Sequence, residues 1–330
     1  MASTAVIQVK QGIGDVMWHL PFIRAIAAKT PERQVTFLTL PSTRAQELLQ
    51  VEPCIDRVIY FEHQGSEFKR VVNLAVLTAL LRAKKFRRVW ILDRTVRPAL
   101  AAKLAGIPER LGPGDGAQRW LLTNQGIEPH HFRSVVTDWM RVFVESMGVP
   151  VPTTEPDLKL PGALLASVRE RYAPVARPWI VLGLGGSHTQ KDWPDDSWAS
   201  FLDTLRRRAA GTVFLIGGPD NSTRADALIA RSTGASAINA CDLSIIEAAA
   251  LLRLADLFVG PDSGPMNLAA AGATPAFGLF GSTPVLSYSK YIHAVEPDGG
   301  YSPDGMRRIT PVQAMARIEP YLSAVIPAEP

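Results

Sequence analysis

Asp262, Ser263 and Gly264 form a short polar turn between two apolar segments, and their chemistry suits the binding of phosphate. The run 257–259 before them is typical of a buried strand, and the small-residue run 268–271 after them indicates a helix. The start of a helix presents free backbone N–H groups and the positive end of the helix dipole, so it attracts anions. A capped crossover helix explains the same turn equally well, because Asp and Ser also cap helices. The turn alone leaves both interpretations open.

Three more turns rich in glycine or hydroxyl groups follow predicted strands, at 12–15, 185–191 and 217–220. Together with 262–264 they suit a nucleotide diphosphate that is held by backbone N–H groups and helix ends. Lys191 lies in the longest of these turns, where an ammonium group could neutralise a diphosphate leaving group. A solvated loop lysine is the other interpretation.

Asp15 stands where the first glycine turn passes into a helix, and its simplest interpretation is a first-turn acid or helix cap. The dinucleotide fingerprint GxGxxG is not met there, because Met17 occupies the position of the third glycine, and this argues against a dehydrogenase. The P-loop pattern GxxxxGK[ST] does not occur in the chain. No acids or histidines have metal-ligand spacing either, so we expect neither a metal nor a cofactor.

Basic residues are concentrated in the first half of the chain. Lys69 and Arg70 form one cluster, and the segment 84–88 forms another; both suit a phosphorylated or membrane-borne acceptor, or solvated helix ends. The segment 93–97, which contains Asp93, Arg94 and Arg97, follows a predicted strand directly. Ligands of open parallel sheets lie at that edge, so these three residues are better acceptor candidates.

The elements that must position these residues alternate between strand and helix. Expected strands cover 5–9, 35–40, 57–61, 88–92, 179–184, 212–216, 236–239, 257–259 and 276–280. Expected helices cover 16–28, 43–49, 68–83, 98–105, 132–147, 196–207, 225–230, 244–252, 268–271 and 311–325. This order predicts an α/β protein with parallel sheets.

A Pro-rich stretch, 148–161, divides the chain into two Rossmann-like halves whose ligand turns should face one another across a cleft. We therefore expect an N-terminal acceptor-binding domain at 1–155 that contains Asp15 and a nucleotide-sugar-binding domain at 156–310. The segment 311–330 is expected to form a helix and tail, with packing back on the N-terminal domain as one option.

Composition limits the possible functions. The 330 residues include 35 basic and 31 acidic side chains, which gives a net charge of +4, too weak to predict nucleic-acid binding. Hydrophobic residues make up 47% of the chain, yet no apolar run is long enough to suggest a membrane span. The N-terminus lacks the pattern of a signal peptide, and Cys54 and Cys241 form no CxxC pair. We therefore expect a cytoplasmic protein, with a peripheral position at the inner membrane as an option.

Three motifs resemble a known family. The stretch GPDSGPMNLAAA at 260–271, with FGSTP at 280–284, is similar to the signature of glycosyltransferase family 9, the lipopolysaccharide heptosyltransferases. The N-terminal GDV at 14–16 with LP at 20–21 resembles the GDV…LP motif of the same family. KDWP at 191–194 resembles its third motif, a basic residue before Trp-Pro. The three motifs follow the order of the family and span nearly the whole chain.

The resemblance implies a GT-B fold, two Rossmann-like domains with parallel sheets facing across a cleft. It implies an inverting, metal-independent transfer of heptose, typically from ADP-heptose, onto an inner-core sugar of lipopolysaccharide. Asp15 matches the general base of the family, Lys191 the residue on the donor phosphates, and Asp262 the acid on the donor sugar.

The candidate site residues fall into three sets, and the catalytic set is Asp15 and Lys191. The donor set is Gly185, Ser187, Thr189, Lys191, Gly218, Asp220, Asn221, Leu243, Asp262, Ser263, Gly264 and Asn267. The acceptor set is Gly14, His19, Lys69, Arg70, Asp93, Arg94 and Arg97. The expected partners are a nucleotide sugar, a saccharide or lipid-linked acceptor and the inner face of the cytoplasmic membrane, with no nucleic acid.

The chain departs from the family pattern in two places. Asn267 stands where the family usually has a histidine, and an amide cannot carry charge near neutral pH. Trp18 stands where a histidine is frequent, although His19 follows it. Two alternative functions therefore remain open: a transferase with another nucleotide sugar or a protein acceptor, and a non-catalytic nucleotide-sugar-binding protein.

Overall fold

The computed structural model describes residues 3–63, 65–185, 189–208, 211–234 and 236–325. The chain divides into two units, Met1–Lys159 and Leu160–Pro330. This division falls near the end of the Pro-rich stretch 148–161, a few residues after the boundary expected from the sequence. Each unit contains one sheet and its own helices.

The first unit alternates strands with helices along the chain. Its strands are β1 (Thr4–Ile7), β2 (Val35–Thr39), β3 (Ile55–Tyr60), β4 (Arg88–Ile91) and β5 (Glu109–Leu111). Its helices are α1 (Ile13–Ala28), α2 (Ala45–Leu48), α3 (Glu67–Lys84), α4 (Val96–Leu104) and α5 (Val136–Ser146). The strand order is β3-β2-β1-β4-β5, and all of the pairs are parallel. The order reverses between β1 and β4, where Ile7 pairs with Ile91.

The second unit repeats this plan. Its strands are β6 (Trp179–Gly183), β7 (Thr212–Ile216), β8 (Ala237–Asn239), β9 (Leu257–Pro261), β10 (Ala276–Leu279) and β11 (Ile292–Val295). Its helices are α6 (Gly162–Arg171), α7 (Asp195–Arg208), α8 (Ser222–Ala230), α9 (Ile245–Leu254), α10 (Gly264–Ala271), α11 (Gly305–Arg308) and α12 (Pro311–Val325). The strand order is β11-β10-β9-β6-β7-β8, again parallel, and it reverses between β6 and β9.

The central strands are buried along their whole length, as expected of parallel sheets with helices on both faces. Every residue of β2, β6 and β7 is buried. In the second unit Trp193, Trp198 and Phe201 stack edge to face beside the sheet. The α/β class and the two Rossmann-like sheets predicted from the sequence are therefore confirmed.

Four elements were not predicted: β5, β11, α6 and α11. Both strands are short and lie at sheet edges, and α6 buries only Val168, so none of these three elements gives a long hydrophobic pattern.

Helix α12 occupies the described part of the segment 311–330. Ala314, Met315, Ile318 and Leu322 join the hydrophobic core of the second unit, and α12 packs against α7 of that unit. Arg208 of α7 also forms a salt bridge of 2.7 Å with Glu319. The helix therefore forms part of the hydrophobic core of the second unit. Among the described helices, none combines the length and the apolar character that crossing a bilayer requires.

Candidate functional site

The carboxyl edge of the second sheet brings together Lys191 and Asp262, which are far apart in sequence. Lys191 follows β6 and Asp262 follows β9, the two strands on either side of the point where strand order reverses. Lys191 Nζ lies 2.6 Å from Asp262 Oδ2 and 3.0 Å from the Asp262 carbonyl oxygen. Thr283, which follows β10, donates its hydroxyl to the same Oδ2 over 3.0 Å. Ligands of α/β sheets bind in this position, so the predicted donor residues lie where a ligand is expected.

The turn that carries Lys191 is held by its neighbours. Trp193 is fully buried, and its indole N–H donates to the Ile309 carbonyl over 2.9 Å. Arg224 on α8 donates to the carbonyls of Leu184 (2.8 Å) and Trp193 (3.0 Å) and to the Asp195 carboxylate (2.7 Å). These bonds fix both ends of the turn and thereby limit where Lys191 can reach.

Helix α10 begins directly after Asp262, with Ser263 as its N-cap and Pro265 in its first turn. The first N–H groups of a helix have no acceptor within the helix. The Ser263 hydroxyl is shielded from solvent and has no hydrogen-bond partner among the residues that the structure describes. Free donors therefore gather beside Lys191, and this arrangement is suited to an anionic ligand such as a diphosphate.

Asn267 is buried on α10 and is engaged at both ends of its amide. Its Nδ2 donates to the Ser263 carbonyl over 2.7 Å, and the Tyr288 hydroxyl donates to its Oδ1. The residue that stands at the usual histidine position is thus part of a neutral hydrogen-bonded pair with Tyr288.

Asn221 lies beside two of the glycine turns. A Cβ atom on Gly217 would come within 2.8 Å of the Asn221 Cβ, and one on Gly185 would come within 3.0 Å of Asp192 Oδ1. Any larger residue would crowd these positions, so the two glycines keep the turns close together.

The remaining donor candidates differ in their surroundings. Gly218, Asp220 and Thr189 are exposed at strand-end turns, whereas Leu243 is buried after β8. Ser187 lies outside the described residues.

In the first unit Asp15 occupies the first turn of α1, beside the reversal point of that sheet. Its Oδ2 accepts the Gly12 backbone N–H over 2.9 Å, and the carboxylate is half-buried. Asp15 therefore stabilises the start of α1, as an acid in the first turn of a helix does. Gly14, next to Asp15, is buried within the same turn.

His19 joins this turn to the end of β4. One ring nitrogen, Nδ1, contacts the Asp15 carbonyl oxygen, and Nε2 lies 3.1 Å from the Leu92 carbonyl oxygen. His19 is almost completely buried, and the next residue after Leu92 is Asp93. The structure thus brings Asp15, His19 and Asp93 of the predicted sets together at the carboxyl ends of β1 and β4.

Asp93 is buried, and its two carboxylate oxygens differ. Oδ1 accepts the backbone N–H of Thr95 over 2.7 Å and also its hydroxyl, whereas Oδ2 has no hydrogen-bond partner within the described ranges. Burial raises the pKa of Asp93, while the bonds from Thr95 and the charges of His19 and Lys10 oppose that change. Gln8, which follows the neighbouring strand β1, is also buried, and its Nε2 has no hydrogen-bond partner among the described residues. Two such atoms near one sheet edge are unusual, and a polar ligand could satisfy them.

A separate small pocket, with a cavity volume of about 10 Å³, lies between the carboxyl end of β3 and the starts of α3 and α4. Its polar lining is provided by Glu62, His63, Arg70, Asn73 and Arg97. Arg97 donates to the His63 carbonyl over 2.9 Å. Burial lowers the pKa of His63, and the nearby charges of Arg97 and Arg70 lower it further. Two guanidinium groups thus lie at the wall of this pocket together with the Glu62 carboxylate, and arginine side chains can pair with anionic groups.

Lys69 and Arg94 do not join these clusters. Lys69 is exposed on α3, and Arg94 forms a salt bridge of 2.6 Å with Asp115 while its guanidinium carbon lies 4.6 Å from the centre of the Phe132 ring. The geometry therefore gives Arg94 a structural role.

Sequence reasoning missed several residues of these clusters, namely His63, Asn73, Thr283, Tyr288 and Arg224. His63 could have been found, because it follows a predicted strand as Asp93 does. Arg224 and Tyr288 carry no such signal. The described residues contain no group of three or more His, Cys, Asp or Glu side chains that could hold a metal ion.

Comparisons with known proteins relate the chain to one family. A model of glycosyltransferase family 9 (heptosyltransferase) matches residues 75–296. Lipopolysaccharide heptosyltransferase 3 of Escherichia coli is 23% identical over 279 residues, which cover 82% of this chain and 81% of that protein.

Solved structures show the same fold. A glycosyl transferase family 9 structure from Veillonella parvula DSM 2008 has a TM-score of 0.79 at 18% identity and covers 97% of this chain and 96% of its own. Escherichia coli heptosyltransferase WaaC with ADP-2-deoxy-2-fluoro heptose has a TM-score of 0.72 at 18% identity, with coverages of 96% and 99%. The predicted GT-B fold is thereby confirmed.

Proposed function

Because this chain belongs to glycosyltransferase family 9 (heptosyltransferase), we propose that it transfers a heptose from ADP-heptose to the lipopolysaccharide core or a related surface saccharide. The chain is a glycosyltransferase, since the family model matches more than half of it. The proposal includes the identity of the donor and of the acceptor. It also includes inversion at the anomeric carbon, independence from metals and cofactors, and a position at the inner face of the membrane.

The reaction that we propose is a single displacement. Asp15 accepts the proton of an acceptor hydroxyl, and the acceptor oxygen forms a bond to the anomeric carbon of the heptose. The bond from that carbon to the diphosphate oxygen breaks, and ADP leaves with the electron pair. Attack on the face opposite to the leaving group inverts the configuration. The negative charge that develops on the diphosphate is neutralised by Lys191 and by N–H groups at the start of α10.

The single observation that carries the proposal is the Lys191–Asp262 pair at the reversal point of the second sheet. Lys191 is three-quarters buried, with 24% of its side chain exposed, and it lies beside the unpartnered Ser263 hydroxyl and the start of α10. A diphosphate would share the Lys191 ammonium with Asp262. The carboxylate would then keep acceptor capacity for sugar hydroxyls.

The acceptor side of the proposal is supported by the two clusters of the first unit. Asp15 and Asp93 offer carboxylates at the reversal point, and Arg70 and Arg97 offer guanidinium groups in the neighbouring pocket. A sugar that bears phosphate or carboxylate groups fits this combination, because arginine binds such groups with paired hydrogen bonds.

One observation favours a second candidate, a family 9 transferase that uses a different nucleotide sugar. Asn267 and Tyr288 form a neutral pair in which a histidine would bring a titratable ring. A changed hydrogen-bonding group of this kind can alter which sugar is accepted, since unmatched polar groups are costly.

The proposed function is tested by incubating the protein with ADP-heptose and a delipidated core oligosaccharide and by following the mass of the product. Asp15→Asn should lower kcat by at least about 100-fold, because a general base contributes roughly that much or more. Asp138→Asn is the matched control, since Asp138 is also a first-turn acid of the same unit, on α5.

Transfer that persists in Asp15→Asn would remove Asp15 from the role of base. Transfer from other nucleotide sugars but never from ADP-heptose would favour the second candidate.

A further inference from the structure

Helix α3 presents an apolar stripe to solvent. Four of its large side chains are strongly exposed: Phe68 at 78%, Val71 at 67%, Val76 at 55% and Val72 at 42%. Ala75, Ala79 and Ala83 are exposed as well. We call these seven residues the α3 stripe. A helix at a protein surface normally turns its apolar side chains inward, so a continuous exposed set requires an explanation.

The stripe is distinct from the face that packs on the core. Its members are spaced by three and four residues, so they share one side of the helix. Leu77 and Leu81, about half a turn away, are buried in the hydrophobic core of the first unit. The helix thus has one apolar face that packs on the unit and a second that faces solvent.

The charges around the stripe are mostly basic. Lys69 is exposed beside Phe68, and Lys84, Lys85 and Arg87 follow at the end of the helix. Among the described residues, none of these four side chains forms a salt bridge, and the only acid on α3 is Glu67. An apolar stripe with unpaired basic residues at its ends is complementary to a lipid surface, which has anionic headgroups outside and apolar acyl chains beneath them.

A second copy of the chain matches this surface less well. In an antiparallel pair of α3 helices, Lys69 of one copy would approach the basic end of the other, and in a parallel pair each base would face its equivalent. In both arrangements the bases outnumber Glu67, the one acid on α3, so like charges predominate around the apolar contact and disfavour association.

We propose that the α3 stripe is a docking surface for an anionic lipid bilayer. Phe68, Val71 and Val76 enter the boundary between headgroups and acyl chains, and Lys84, Lys85 and Arg87 contact lipid phosphates. Arg70 and Asn73 on other faces of the same helix line the basic pocket, so docking would hold that pocket close to the membrane surface. The inference rests on the proposed function, which includes a position at the inner face of the membrane, and it names the surface that contacts the bilayer there.

Flotation with vesicles tests the proposal directly on the full chain. The probes are phosphatidylcholine vesicles and vesicles with about 30 mol% phosphatidylglycerol, whose surface is anionic. The wild type should bind the anionic vesicles selectively, and added salt should weaken the binding. Phe68→Ser combined with Val76→Ser should weaken it by about tenfold or more, because each large apolar side chain contributes substantially when it leaves water.

The matched control is Val312→Ser on α12, where an equally exposed valine (76%) lies in the second unit. It should bind vesicles as the wild type does. Lys84→Glu with Lys85→Glu should abolish the preference for anionic vesicles. The stripe variant should retain transfer to the delipidated acceptor, so loss of docking and loss of the proposed activity are measured separately.

Two results would overturn the docking surface. One is equal binding of anionic vesicles by the wild type and the stripe variant. A result in which neither protein binds the vesicles counts as equal binding. The other is a dimer in light scattering that dissociates in the stripe variant, because the stripe would then be an interface between copies.

Discussion

At the scale of single residues, Asp93 leads to a prediction about pH. Its pKa is raised above the unfolded value by burial, so the folded protein holds this proton more tightly than the unfolded chain does. The resulting stability is fully present below the unfolded pKa and is lost as pH rises through the folded pKa. Asp93→Asn keeps an oxygen acceptor for the N–H and hydroxyl of Thr95 and removes the charge. Its stability relative to the wild type should therefore increase from pH 4 to pH 7.

Urea denaturation at several pH values measures that difference. Asp196→Asn is the surface control, because the Asp196 side chain is 92% exposed. A difference between Asp93→Asn and the wild type that stays constant with pH, or that shrinks as pH rises, would contradict the prediction.

The sequence analysis selected Lys191, Asp262 and Asp93 as candidate site residues but did not predict the side chains that they contact. Lys191 and Asp262 could each be predicted, because polar residues directly after buried strands are expected at a ligand edge. Their contact at 2.6 Å depends on β6 lying beside β9, and strand order is not readable from either turn. Tyr288 lies in an irregular segment and reaches Asn267 only through tertiary packing.

At the scale of elements, Arg224 connects α8 to the turn that carries Lys191, and this connection can be broken. Arg224→Met removes the hydrogen bonds to Leu184, Trp193 and Asp195 but keeps an extended apolar side chain. We expect a loss of stability of roughly 2 kcal/mol, because the carbonyl groups lose charged donors. The KM for the nucleotide sugar should also rise, since Lys191 would be less well positioned, while the KM for the acceptor should remain unchanged.

Arg231→Met provides the comparison for that substitution. Arg231 directly follows α8 and pairs with the exposed Asp196. Its loss should therefore change neither the stability nor the KM for the nucleotide sugar appreciably. Equal effects of the two substitutions on donor KM would show that the Arg224 contacts do not position Lys191.

Elements with a strong local pattern were predictable, and those defined by the tertiary structure were not. Ser244 and Glu247 form a capping box at the start of α9, within the helix predicted at 244–252, and their Ser-x-x-Glu spacing is a local sequence signal. The edge strand β11 has no comparable signal, because it forms only by pairing with β10. The unforeseen packing of α12 on α7 has the same cause, since an amphipathic terminal helix does not reveal which unit it covers.

At the scale of the whole molecule, the division of the donor and acceptor residues between two units predicts which variants respond to nucleotide. The predicted donor set lies in Leu160–Pro330, and Asp15 lies in Met1–Lys159. ADP at 100 times its Kd should stabilise the protein by about 2.7 kcal/mol, which corresponds to a rise in Tm of roughly 5–10 °C for a unit of this size. UDP and GDP should give smaller shifts.

The same shift should survive in Asp15→Asn and shrink in Lys191→Met, because Lys191 supplies the side-chain cation beside the start of α10. Differential scanning fluorimetry with each nucleoside diphosphate measures all three proteins under identical conditions. An ADP shift that disappears in Asp15→Asn would mean that Asp15 takes part in donor binding, and the separate roles proposed for the two units would then be incorrect. An absence of any ADP shift in the wild type would exclude an ADP-linked donor, whereas a larger shift with another nucleoside diphosphate would identify its nucleotide.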